Sequence, residues 1–258
     1  PRQVAAFHKG KWEKIWQCSD LLGAADSDYL LNDLRTSILS NRNENTECWW
    51  KDLITPARIR QVAMHEFKSK TSIGADWVSF REIAQAPDDA LGDLSLLIHQ
   101  IVWNLAWPTQ VHLNLIALLG KKDGNTRCIA VACTLYRLVL ALLKPIAREW
   151  DKKNARLDDS AVAGKQPLLE TVKRAADLEA ASINGKISIS IYWDVAKFFD
   201  SINVRKLVDR AVELGFPREL LVLGLQIHRA PRVFKAMGTI TDPTARTFIS
   251  IMTGCTLS

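Results

Sequence analysis

Ile187-Ser188-Ile189-Ser190-Ile191-Tyr192-Trp193-Asp194 alternates apolar with polar side chains and then ends on a carboxylate. A period of two is that of a half-buried β-strand, whose successive side chains point to opposite faces. One face, carrying Ile187, Ile189, Ile191 and Trp193, needs an apolar cover. The other, carrying Ser188, Ser190, Tyr192 and Asp194, is left to solvent or ligand, as antiparallel sheets permit. Such a strand among helical patterns predicts an α+β fold, with helices at one face of a small antiparallel sheet. From spacing alone, Asp194 is either a ligand for a divalent cation held against a phosphate or a solvated strand-end carboxylate that caps the next turn.

Outward from that strand, Val204, Leu207, Val208, Ala211 and Val212 mark the inner face of an amphipathic helix closed by Gly215 and Pro217. On the other side, a helix opens at Pro167, presents Leu168, Leu169, Val172, Ala175 and Ala176 on one face, and stops at Gly185. Residues 134–149 read as a helix kinked at Pro145, followed by a charged loop over 151–164. Asp88, Asp89 and Asp93 favour a helix start, and Leu94, Leu97, Ile98, Ile101 and Val102 continue it until Pro108. Residues 111–119 and 127–131 are expected strands of a hairpin, because Lys121-Lys122-Asp123-Gly124-Asn125 holds the Asp-Gly turn signal. Residues 1–66 form a polar, tryptophan-containing lead-in or linker to which no function is assigned.

The chain has 258 residues, 48% apolar and 24% charged, which excludes wholesale disorder. Its 34 Lys and Arg against 28 Asp and Glu give a net charge of +6, suited to a partner rich in phosphate. The 5 cysteines form no CxxC pair, so neither a zinc module nor a disulfide framework is indicated. Residues 129–143 are apolar but interrupted by Arg137 and shorter than the ~20 residues of a membrane span. They are expected to be a buried strand followed by a buried helix. The chain starts at Pro1 without an apolar leader and is expected to be an excerpt of a longer protein.

The string Trp193-Asp194-Val195-Ala196-Lys197-Phe198-Phe199-Asp200-Ser201-Ile202 resembles the first palm motif of reverse transcriptases of the non-LTR retrotransposon type. Further blocks follow in that family's order. Lys68-Ser69-Lys70-Thr71 with Gly74-Ala75-Asp76 resembles the segment opening the fingers. Residues 121–129 with Leu135-Tyr136-Arg137-Leu138 resemble the fingers hairpin and its helix, and residues 164–186 the helix before the catalytic strand. Gly254-Cys255-Thr256-Leu257-Ser258 resembles the second palm motif. Three positions depart from the pattern: Cys128 stands where the family has Pro, Phe198 where it has a small residue, and Thr253 where it has Gln.

The resemblance implies a truncated right-hand polymerase: fingers over 67–186 and a partial palm over 187–258, holding only the first and second palm motifs. It implies an RNA-directed DNA polymerase that adds deoxynucleotides by two-metal chemistry, with Mg²⁺ as cofactor and RNA template, DNA primer and deoxynucleoside triphosphates as partners. Asp194 becomes the catalytic carboxylate and, with the main-chain carbonyl of Val195, a metal ligand. Lys121, Lys122 and Arg127 become triphosphate contacts, and Phe199 the floor under the incoming sugar. Gly254 lets the backbone approach the nascent pair. Asp200 is read as structural.

Read without the family, the two lysines are an ordinary solvated turn and Phe199 a core residue beside Phe198. Arg229 and Arg232 are either phosphate contacts or a solvated helix end. The family's paired aspartates do not occur in these residues, so the chain alone is expected to be inactive. A related domesticated or bacterial reverse transcriptase, or a catalytically dead nucleic-acid-binding remnant of a mobile element, fits the same motifs. No membrane association is expected, and nuclear action is implied by the family only.

Overall fold

The computed structural model describes residues 1–17, 26–43, 46–68, 70–122, 126–155, 166–189, 191, 197–236, 238–245, 247 and 250–252, with backbone alone for 26–28. The fold is α+β. In chain order the described elements are helices α1 (Arg2–Trp16), α2 (Asp26–Ser40), α3 (Pro56–His65), α4 (Phe80–Gln85) and α5 (Asp88–Asn104), then strands β1 (Asn114–Gly120) and β2 (Thr126–Val131). Helices α6 (Thr134–Asn154), α7 (Pro167–Ile183), α8 (Val204–Glu213) and α9 (Arg218–His228) follow, and strands β3 (Arg232–Ala236) and β4 (Thr239–Ile240) come last. Between α7 and α8 lies a short 3-10 helix, Phe198–Ser201.

Local chemistry explains most of the helix ends. Thr55 accepts the Arg58 amide ahead of Pro56, and Ser79 with Glu82 forms a reciprocal capping box. Gly185 and Gly215, both left-handed at φ near +65°, close α7 and α8 in the same manner. In each, the amide after the glycine reaches back, Lys186 to Ala181 and Phe216 to Ala211, at 2.9 and 2.8 Å. α5 ends earlier than Pro108 suggests, because Leu105 turns left-handed at φ 48°. α6 runs through Pro145 without the main-chain hydrogen bond a prolyl nitrogen cannot give.

The sheet has the order β2-β1-β3-β4. β1 and β2 form the expected hairpin, with Leu115 opposite Val131 and Gly120 opposite Thr126. Its tip, residues 123–125, lies outside the described residues. β3 runs parallel to β1, Asn114 beside Arg232 and Ile116 beside Phe234, while β4 returns antiparallel. The sheet is therefore mixed, not antiparallel throughout as the sequence suggested. The alternating stretch from Ile187 is not among its strands: residues 187–189 and 191 lie outside every strand, with Ile187 94% and Ile189 84% exposed. Alternation makes a strand only where a neighbouring strand takes up its main-chain groups, and at these described positions none does. β3 was instead concealed in residues read as a helix end.

The chain divides into two compact units, residues 1–144 with 198–258, and residues 145–197. These units are divisions by packing, whereas the spans 1–66, 67–186 and 187–258 are divisions by role. In the smaller unit, α7 buries none of its residues and leaves Leu168, Leu169 and Val172 exposed.

In the larger unit α1 covers one face of the sheet. Trp12 and Trp16 pack with Ile116 and Phe234, and Leu118, Cys128 and Ala130 close around them. Trp16 and Phe234 stack at 5.8 Å. Elsewhere in that unit Trp107 donates to the Leu223 carbonyl at 2.9 Å and meets the buried Tyr136 ring edge-on. The apolar run over 129–143 is, as its composition suggests, the end of β2 followed by a helix whose residues 138–143 are all buried. Among the described residues, no helix is long and apolar enough to cross a membrane.

Candidate functional site

The alternation of β1, β2 and β3 sorts their side chains. Asn114, Ile116, Leu118, Cys128, Ala130, Arg232 and Phe234 fall on the face under α1; Leu115, Ala117, Leu119, Arg127, Ile129 and Lys235 fall on the opposite face. That second face is half open. Leu119 is 49% exposed, and Arg127 and Lys235 are exposed at its margins. Lys121 and Lys122 leave the end of β1 as exposed residues. The Lys235 ammonium lies 5.7 Å from the ring centre of Trp77, itself 69% exposed and held at φ 56°. A bulky residue in that region stores strain, a frequent mark of functional surfaces.

A basic face with an upturned aromatic ring is chemically suited to a nucleic-acid backbone and the bases it carries. Trp77 and Lys235 were not singled out in the sequence. Trp77 follows directly on the Gly74-Ala75-Asp76 block, which could have drawn attention to it; Lys235 gave no signal, since its strand was not recognised.

The block opening the expected fingers clasps the helix behind the hairpin. Gly74 is buried where a Cβ would stand 2.5 Å from the Ala132 carbonyl oxygen and 2.7 Å from Cys133 Cα. Asp76 accepts the amides of Thr134 and Leu135 at 2.5 and 3.2 Å, placing a carboxylate on the positive end of α6. Arg137 lies over the Phe80 ring and donates to the Ser72 carbonyl at 2.7 Å. Burial lowers its pKa, and Asp76 opposes that shift.

Around the string that resembles a first palm motif the described residues begin again at Lys197; Asp194 and Val195 lie outside them, as does Gly254. Phe199 is half-buried, its ring edge-on to Phe198 at 5.3 Å. Its carbonyl accepts the Ile251 amide at 3.0 Å, and the Ile202 carbonyl accepts the Ser250 amide at 3.1 Å. The segment leaving the first motif thus runs beside the segment approaching the second. Ser250, fully buried, bends there through φ 96°. Arg127 is not brought onto the face nearest Asp200: the neighbouring Cys128 points that way, and alternation turns Arg127 to the open face.

Asp200 accepts the indole N–H of Trp16 at 2.8 Å. Its charge is felt by Arg232 and Cys128. Burial lowers the Arg232 pKa to about 10 while Asp200 raises it, and burial pushes the Cys128 thiol up to about 12 with Asp200 adding to the rise. Arg232 lies 4.1 Å from the Trp16 ring centre and donates to the His228 carbonyl and to Ser250 Oγ. Arg229 also donates inward, to the Thr247 carbonyl. Both arginines are hidden from solvent, at 3% and 2% exposure. This corrects both sequence readings of them, since neither lies on a solvated helix end or a phosphate-facing surface. His228 is likewise a core residue, its Nδ1 accepting the Met252 amide at 2.7 Å.

Among the described residues no three His, Cys, Asp or Glu side chains converge as a metal-ligand set. Compared with known proteins, the chain matches no family model and no curated relative.

Proposed function

We propose that the chain is part of an RNA-directed DNA polymerase, contributing the fingers and the first portion of a palm. The observation that carries this reading is the pairing of 199–202 with 250–251, which lays the chain next to the first motif along the chain next to the second. The clasp of Asp76 on α6 adds a parallel case in the expected fingers. In this reading Asp194 and the Val195 carbonyl hold Mg²⁺, which neutralises triphosphate charge and activates the primer hydroxyl. Lys121, Lys122 and Arg127 meet the triphosphate, and Phe199 underlies the sugar. Two-metal transfer needs more carboxylates than Asp194 supplies, so the 258 residues alone are expected to bind primer–template without extending it.

Primer extension on an RNA template with Mg²⁺, run on the longest polypeptide of the reading frame, tests the proposal. Asp194→Ala is expected to reduce extension by at least ~10³-fold while leaving primer–template affinity within about twofold. Extension that survives the substitution removes Asp194 from the chemistry. A polypeptide that binds but never extends favours the remnant reading, for which the open face bearing Trp77, Arg127 and Lys235 suffices.

A further inference from the structure

The chain turns at Ser250 with φ at 96° and the side chain fully buried. A residue other than glycine is strained in that region and stays there only where its surroundings hold it. Ser250 is held from three directions. Its amide donates to the Ile202 carbonyl at 3.1 Å, and its hydroxyl donates to the Ile251 carbonyl at 3.2 Å. Its Oγ accepts from both terminal nitrogens of Arg232, Nη2 at 3.3 Å and Nη1 at 3.4 Å.

The Arg232 guanidinium is fixed in its turn. Nη2 also donates to the His228 carbonyl at 3.1 Å, at the end of α9. The group lies 4.1 Å from the Trp16 ring centre, and that ring gives its N–H to Asp200. Burial lowers the Arg232 pKa to about 10 while Asp200 raises it, so the group is charged at neutral pH. A planar fork of donors fixes direction as well as distance, which a lysine ammonium does not.

Ser250 is tied at two points to the segment that carries Phe199. Ile202 accepts the Ser250 amide, and Phe199 accepts the next one, from Ile251, at 3.0 Å. The height of the Phe199 main chain therefore follows Ser250, and Ser250 follows Arg232. All of these residues belong to the larger unit. Arg232 is 2% exposed and Ser250 is 0% exposed, so neither meets a nucleotide, whereas Phe199 is half-buried.

We infer that Arg232 is a positioning residue for selection of the nucleotide sugar: through Ser250 it sets the height of Phe199, and with it the preference for a deoxyribonucleotide over a ribonucleotide. The inference rests on the polymerase reading, in which Phe199 underlies the incoming sugar, and adds a residue remote from the substrate. A 2′-hydroxyl is one extra oxygen, so its rejection needs an aromatic wall held to within about 0.5 Å. The buried fork on Ser250 supplies that constraint from behind the wall.

Single-nucleotide incorporation opposite a uridine of an RNA template, by the longest polypeptide of the reading frame, tests it, with dATP and ATP compared as the ratio of their kcat/KM values. The ratio does not depend on how much of the preparation is folded, so lost stability alone leaves it unchanged. Arg232→Lys keeps the charge and breaks the fork. Ser250→Gly removes the acceptor, and glycine adopts the same φ without strain, so this variant decides should Arg232→Lys fail to fold. Each substitution is expected to lower the ratio by about tenfold or more. A parental ratio in folded Ser250→Gly overturns the inference and leaves the polymerase reading standing. Loss of incorporation with both nucleotides in that folded variant overturns it too, because the contact then serves the whole site rather than the sugar. A parent that incorporates neither nucleotide, or that incorporates dATP equally well after Asp194→Ala, removes the polymerase reading and this inference with it.

Discussion

The Trp16 indole N–H meets a carboxylate oxygen of Asp200 at 2.8 Å across 184 positions of sequence. One bond thereby joins α1, assigned no function from its sequence, to the short 3-10 helix Phe198–Ser201. Trp16→Phe keeps most of the stacking on Phe234 and removes the donor, so a loss of about 1–3 kcal/mol is expected from urea unfolding. Asp200→Asn leaves Arg232 without its counter-charge and is expected to cost about as much or more. If both variants unfold within ~0.5 kcal/mol of the parent, the hydrogen bond has no structural weight.

His228 is buried as a neutral acceptor, with its pKa lowered to about 3 by burial and then by Arg232. Because the folded value lies below the ordinary value of 6.5, the unfolded chain takes up the proton first as pH falls. The stability this histidine confers is complete above about pH 6.5 and drains away toward pH 3, amounting to a few kcal/mol at roughly 1.4 kcal/mol per pKa unit. Denaturant titrations at stepped pH are expected to show that slope, and His228→Gln to flatten it. An unchanged slope in the variant would remove His228 as the cause.

Gly74→Ala drives a methyl group into the main chain at Ala132 and Cys133, where no side chain can yield. The expected cost is about 2 kcal/mol or more, read as a lowered urea midpoint. Asp76→Asn keeps the shape but removes the charge from the start of α6, at an expected cost of about 1 kcal/mol. A harmless Gly74→Ala contradicts the close approach.

Arg127, Lys121 and Lys122 are exposed, so replacing them by Ala is expected to leave Tm within about two degrees of the parent. Affinity for a short single strand should fall, and each cation removed from a phosphate should reduce the slope of log affinity against log salt by roughly 0.7. Trp77→Ala is expected to weaken the same binding without altering that slope, because stacking releases no counterions. Identical slopes for the parent and the triple variant take the cations out of the interface.

The helices and the hairpin were legible because their signals are local: Pro167 and Gly185 bracket α7, and the Asp-Gly signal falls in the sequence between two strands only a few residues apart. Around the candidate site, the Gly74-Ala75-Asp76 block and the hairpin stood out as sequence, while Asp194, Val195 and Gly254 lie outside the described residues. What escaped notice depends on distant partners. Arg232 reads as a surface cation until Trp16, Asp200 and Ser250 surround it, and β3 is a strand because β1 lies beside it. The stretch from Ile187 shows the reverse: a correct period with no partner strand at its described positions. Lys235 and Trp77 became a pair only once the parallel register of β1 and β3 was known.

The reach from Trp16 to Asp200 also sets a timetable. During synthesis the two tryptophans of α1 precede by some 184 residues or more the aspartate, the arginine and the phenylalanine that enclose them. Closure of so long a loop precedes any gain from the bond it makes, and topologies of this kind fold slowly. Throughout that interval α1 carries an apolar face whose cover has not yet been made, a natural client for chaperones until β3 is in place.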